Sequence, residues 1–188
     1  MPHELHIKNM VCDRCLRSVR TILRDQCVQV QELTLGHAIV DALPPNSLAL
    51  EQALNAQGFA LLEDRKARLV EQVKQALLRL IRTDGLPDAG WKLSEFVAQA
   101  MAKDYASVSA QFREQENTTL EKWFIHQKIE YVKELLAYNE APIKEIAYRL
   151  GYSSVAHLGN QFRQVTGFTP AEFRALKAHP RTPLDQVR

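Results

Sequence analysis

Two thiols three residues apart, Cys12 and Cys15 in the run NMVCDRC, are the residues of this 188-residue sequence most suited to chemistry. A Cys-x-x-Cys pair can hold a soft metal ion, cycle between dithiol and disulfide, or fill space in a core. One such loop supplies two sulfurs, which suffices for near-linear Cu(I), whereas a closed Zn(II) site needs four ligands. A homodimer that brought two loops together would supply four. Redox use asks for a thioredoxin-like setting and a zinc ribbon asks for a second Cys-x-x-Cys, and neither pattern is evident. Cys27 lies about 18 Å beyond Cys15 if helix fills the gap, and is expected to be a buried structural thiol. His6 alternates with Leu5 and Ile7 and is expected on the other face of a strand, a poor third ligand.

No other constellation competes. The six histidines and the scattered carboxylates form no HExxH, nucleophile elbow or phosphate loop, so an enzyme is not expected. His3, Glu4, Lys8, Asp13 and Arg14 exclude a secretory apolar region in the first stretch, and no apolar run approaches the roughly 18 residues of a membrane span. A cytoplasmic protein without membrane contact is the expectation. The net charge of +2 is unevenly placed. Residues 1–64 carry 5 basic against 8 acidic side chains, residues 65–188 carry 19 against 14, and the basic half is the better candidate to meet a polyanion.

The elements that must position the thiols follow from periodicity. HELHIKNM alternates, CLRSVRTILRD has helical spacing, and VQVQELTL alternates again. HAIVDAL follows Gly36, SLALEQALNAQG reads as a helix capped by Ser47 and closed by Gly58, and FALLED is a last strand. Strand, helix, strand, strand, helix, strand predicts a ferredoxin-like βαββαβ domain over residues 1–64. Residues 65–82 then form an amphipathic connecting helix, with Leu69, Val73, Leu77 and Leu80 on one stripe. The run 84–90, DGLPDAG, breaks the chain.

The second half repeats itself at an offset of 50 residues. LSEFVAQAMAKDYASVSAQFREQEN from Leu93 aligns without a gap on IKEIAYRLGYSSVAHLGNQFRQVTG from Ile143. Glu95/Glu145, Ala106/Ala156 and Gln111-Phe112-Arg113 against Gln161-Phe162-Arg163 are identical, and apolar character persists at Val108/Leu158 and Trp123/Phe173. Each copy reads as helix, tight turn, helix: 93–117 and, with a closing helix, 142–178. In the second copy Pro142 fits a first helical position, Gly151 the turn, and Ser153 or Ser154 a cap; Asn117 and Gly167 suit left-handed ends. Thr169-Pro170-Ala171-Glu172 is a capping box, and 118–139 is one long linking helix. The second helices keep Val108 and Phe112, or Leu158 and Phe162, on one narrow side; their other faces are small or hydrogen-bonding, as a helix entering a major groove requires.

The stretch "IAYRLGYSS…HLGNQFRQVTGFTPAEFR" resembles the signature of the AraC/XylS family of bacterial transcription regulators, over about residues 68–178. The resemblance implies an all-α domain, residues 65–188, with two helix-turn-helix subdomains that place two recognition helices in successive major grooves of double-stranded DNA. It assigns the base contact to Ala106, Ser109 and Ala110 in the first copy, and to Val155, Ala156, Gly159 and Asn160 in the second; the chemistry of the same faces adds Arg113, Ser154, His157 and Arg163 as candidate DNA contacts. Four of the groove-facing positions are alanine or glycine, which cannot hydrogen-bond through a side chain. Site choice is therefore expected to rest on methyl contacts, DNA shape and phosphate clamps from Arg113 and Arg163.

MVCDRC, between first strand and first helix, resembles the metal loop of the heavy-metal-associated domain, over residues 3–64. That resemblance implies Cys12 and Cys15 as ligands of Cu(I), Zn(II) or another soft ion. The position of Cys15 in a first helical turn beside Arg14 and Arg17 is expected to favour thiolate. Three readings stand together: a soft-metal sensor joined to a DNA-binding half, a constitutive DNA-binding factor with an inert first module, and a metal-carrying protein whose helical half binds a protein partner.

Overall fold

The computed structural model describes residues 2–44, 46–86, 91–176, 180 and 182. The fold is mixed and mostly helical, with one small antiparallel sheet, and divides into two compact units, Met1–Gln75 and Ala76–Arg188. The expected break at Pro87–Gly90 and the last residues of the expected closing helix lie outside the described residues.

In the first unit the chain runs β1 (His3–Lys8), α1 (Asp13–Asp25), β2 (Val30–Thr34), β3 (His37–Val40), α2 (Ser47–Ala56) and β4 (Ala60–Leu61). The sheet order is β2-β3-β1-β4, every pairing antiparallel. Leu5 and Ile7 of β1 turn inward, as alternation requires, and join Met10, Val19, Leu23, Val28, Leu50, Leu54 and Phe59 in one core. The alternation of β2 is interrupted by an irregularity between Val30 and Glu32. On the opposite face of β1, burial first, then His37 and Arg68, hold the His6 imidazole below its ordinary range, with Glu4 opposing.

Two expectations about burial and capping in this unit are corrected. Cys27 is exposed rather than buried. It takes the left-handed conformation that ends α1 (φ +57°), Cys27 N–H donating to Arg24 O and Val28 N–H to Leu23 O. That reversal turns the thiol outward and sends Val28 into the core in its place. The cap of α2 is Asn46, whose side chain accepts from Ala49 N–H at 3.1 Å, and Ser47 is already helical.

Helix α3 (Arg65–Arg79) follows, and the boundary between the units falls within it. Its last turn, Leu80–Asp84, widens into a π-helix, so the regular helix is shorter than the 65–82 expected from the apolar stripe. Arg82 on that turn pairs with Glu134 at 2.9 Å and lies over the Tyr131 ring, whose hydroxyl accepts from Arg149 at 3.0 Å. We take these side-chain anchors as what holds the wide turn in place.

The second unit continues with α4 (Leu93–Met101), α5 (Tyr105–Glu116), α6 (Leu120–Ala137), α7 (Ile143–Arg149), α8 (Val155–Thr166) and α9 (Pro170–Arg174). Pro142 caps α7 from outside instead of opening it, with extended backbone (φ −61°, ψ 146°). Helix α6 packs against α5, α7, α8 and α9. It buries Leu120, Trp123, Ile129, Val132, Leu135 and Leu136, together with a Lys133–Glu130 ion pair at 2.6 Å. Lys128 sits over the Tyr152 ring, 4.2 Å from its centroid, and burial pulls its amine down to about 8.

Candidate nucleic-acid interface

The two copies close by the same local chemistry. Asp104 caps α5 by accepting from Ser107 N–H at 3.1 Å; Ser154, fifty residues on, caps α8 by accepting from His157 N–H at 3.0 Å. Asn117 (φ +54°) and Gly167 (φ +82°) end the helices in the left-handed conformation. Thr119 and Thr169 cap the next helices, the second as a full capping box with Glu172. The turns between paired helices differ, however: the left-handed residue is Ala102 in the first copy and Gly151 in the second, one position out of register.

An aromatic pair locks each second helix to the helix after it. Phe112 meets Trp123 edge-on at 5.7 Å, and Phe162 meets Phe173 edge-on at 5.5 Å. With Val108 and Phe112 buried on α5, and Leu158 and Phe162 on α8, every other position from the second residue onward shares the burial class of its counterpart fifty residues away. The face turned outward is therefore the same in both copies.

That outward face holds the residues assigned from sequence. Ala106, Ala110 and Arg113 are exposed on α5 and Ser109 is half-buried; Val155, Ala156, His157, Asn160 and Arg163 are exposed on α8, with Ser154 and Gly159 half-buried. Two of them are partly committed elsewhere. Ser154 is the cap. His157 lies edge-on to Tyr152 at 5.3 Å, and its Nδ1 shares a hydrogen bond with Ser153 Oγ at 3.1 Å. Ser109 is one helical turn beyond Tyr105, whose phenol donates to Glu121. Asn160 is thus the best-placed polar side chain on these faces for reading a base edge. Gln164 is exposed on the same face, and exposed Gln115 and, in the turn before α5, Lys103 widen it; the exposure of these last two became evident only with the helices in place.

The two arginines are placed alike. Glu121 is held below the usual carboxylate range, burial being outweighed by the Tyr105 hydroxyl, its own backbone N–H, Thr119 and Arg113. Glu172 is held down by the backbone and side chain of Thr169 and by Arg163. Each guanidinium therefore lies within electrostatic range of a carboxylate at the start of the following helix and is itself exposed. Gly159 differs from both: a Cβ there would meet nothing within 4 Å, so the interior of the fold does not require a glycine.

The thiols lie in the first unit. Cys12 is the residue before α1 and Cys15 is in its first turn, with their sulfurs 3.5 Å apart and neither in a disulfide. Two sulfurs on tetrahedral zinc stand about 3.8 Å apart for Zn–S near 2.3 Å, so the pair fits with a small side-chain adjustment. The expected thiolate bias is corrected: burial pushes the Cys15 thiol up, and the neighbouring Cys12 adds to it against N–H bonds from Val11 and Cys12. The loop is pinned from behind. Asn9 donates to Gly58 O at 2.9 Å, and the buried Gln75 amide donates to Met10 O and to Glu71, both at 2.7 Å. Cys27 and His6 are not brought to the pair.

Residues 97–176 match a family described as a helix-turn-helix domain. The arabinose operon regulatory protein of Escherichia coli K12 is 28% identical over 126 residues, 67% of this chain and 42% of the relative. The HTH-type transcriptional activator RhaS of Escherichia coli O139:H28 is 25% identical over 134 residues, 68% of this chain and 46% of the relative. This chain thus spans less than half the length of either. Among solved structures, the DNA-binding domain of AdpA in complex with a target DNA is 26% identical, covers 57% of this chain and 89% of its own, and gives a TM-score of 0.47.

Two substitutions separate the groove face from the core. Gly159→Ala is expected to stabilise the chain by about 0.5–1 kcal/mol, through helix propensity, and, if this face enters a major groove, to weaken duplex binding, because the added methyl projects from it. Arg163→Ala is expected to leave the thermal midpoint unchanged, to weaken binding to all sequences alike, and to lower the salt slope by about one ion. Thermal denaturation with fluorescence anisotropy at several salt concentrations reads all of these.

Proposed function

We infer that this chain, whose residues 97–176 are a helix-turn-helix domain of the AraC type, regulates transcription by laying α5 and α8 in the major groove of double-stranded DNA. It is a regulator rather than an enzyme, in keeping with the names of its relatives. The observation that carries the reading is the repeated face: two capped helices with the same buried side, the same locking aromatic pair and the same exposed arginine. A bundle that merely contained a duplication would have no reason to keep small and hydrogen-bonding residues outward twice. Direct readout rests mainly on Asn160, with methyl contact from Ala106, Ala110, Val155 and Ala156, and phosphate contact from Arg113 and Arg163. Selection from random duplexes is expected to return a loose motif whose best-defined position depends on Asn160. A sharp motif with strict positions under both helices would overturn this division of labour.

We propose further that the first unit is a ferredoxin-like, heavy-metal-associated type of module, and that Cys12 and Cys15 take a soft ion, Cu(I) foremost. The element and sheet order, the loop position of the two thiols and their spacing support this. The ion would supply charge compensation for two thiolates, of which burial otherwise disfavours that of Cys15. The Gln75 and Glu71 contacts behind the loop would transmit any shift of Met10 to α3. Titration of the reduced chain with Cu(I) against a competing chelator is expected to show tight binding that Cys12→Ser/Cys15→Ser abolishes. Equal binding by the double variant would return the loop to a scaffold role, and the DNA-binding reading would stand without it.

A further inference from the structure

The first unit carries a second group of donors, on the opposite side of the sheet strand from its core. Strand β1 pairs with β3 so that His6 lies directly across from His37, and Glu4 is two residues back on the same face of β1. Directly paired residues on one face of an antiparallel sheet bring their side chains together. Here the imidazole rings stand 5.1 Å apart, and Glu4 Oε2 lies 3.8 Å from His6 Nε2 and 3.6 Å from His37 Nε2. One ligand atom from each residue falls within 4.8 Å of the other two.

We propose that Glu4, His6 and His37 form a binding site for a borderline divalent cation of the Zn(II) class, separate from the thiol pair. The distances carry it. Ligand atoms bound to tetrahedral zinc at about 2.0–2.1 Å stand about 3.3–3.4 Å from one another. The Glu4 carboxylate therefore needs to close on each imidazole by only a few tenths of an ångström, and the two imidazoles, whose ligand atoms lie within 4.8 Å, can draw together by side-chain rotation alone. Two imidazoles and one carboxylate suit Zn(II), Co(II) or Ni(II), ions harder than the Cu(I) that a pair of thiols favours. Access is graded: the Glu4 side chain is 65% exposed, that of His37 30% and that of His6 13%, which leaves the fourth position open on the Glu4 side for water. An alternation of apolar and polar residues on β1 requires no histidine opposite a histidine, and the directly paired ring-to-ring contact is what a shared ion would use. The proposal does not rest on the DNA-binding reading or on the thiol site.

The test uses the untagged full chain bearing Cys12→Ser/Cys15→Ser, so that sulfur cannot contribute, with Co(II) as the spectroscopic probe and Zn(II) as competitor. One equivalent of Co(II) is expected to give ligand-field bands without sulfur charge transfer, bleached by Zn(II). His37→Ala and Glu4→Gln are each expected to weaken binding at least tenfold, with circular dichroism checking that the variants fold. As a readout on the unsubstituted chain, Zn(II) is expected to move the imidazole 15N resonances of His6 and His37 before those of the remaining histidines. Absence of Co(II) binding by the thiol-free chain, binding undiminished in His37→Ala, or resonance shifts at other histidines would overturn the proposal.

Discussion

Helix α6 must be buried along almost its whole length for two small helix pairs to share one core. A pair of short helices buries too little apolar surface to hold itself, and each copy here borrows the same partner. The first docks α5 on α6 through Phe112 and Trp123; the second surrounds its later turns with α7, α8 and α9. Eleven of the eighteen residues of α6 are buried, among them Gln127, Glu130 and Lys133, which a solvent-facing linker would leave in water. The buried Lys133–Glu130 pair is costly to break, since either charge alone would be stranded, and so helps fix how the helix rotates. The spacing of the two exposed faces follows from that helix.

The repeat made this half legible. Caps, left-handed ends and core positions are decided by residues within one or two turns, so the same spacing gives the same structure twice, and Thr169 to Glu172 could be read as a capping box before any coordinates. The misreadings fell where geometry depends on partners distant in sequence or on an exact helix end. Cys27 looked buried by its type, yet it stands at the left-handed residue after α1. The π-turn at Leu80–Asp84 has no signature in an apolar stripe, because it is anchored by Glu134 and Tyr131 far along the chain.

The first unit shows the same division. Its element order was readable from alternation and helical spacing, since both are local. The pairing register was not, and so His6 was read as a lone residue on the wrong face for the thiols, when β3 sets His37 directly beside it. Likewise the expected thiolate at Cys15 followed from helix position and nearby arginines, but the half-buried sulfur and its thiol neighbour act more strongly in the opposite direction.

The central claim is that α5 and α8 act as a pair on one face of a duplex. Hydroxyl-radical footprinting of the full chain on its best selected duplex tests it most directly. Two protected patches on the same face, about one helical turn or 10–10.5 base pairs apart, are the expected result, the patch under α8 fading selectively in Arg163→Ala. A single patch, or two that respond equally to that substitution, would contradict it.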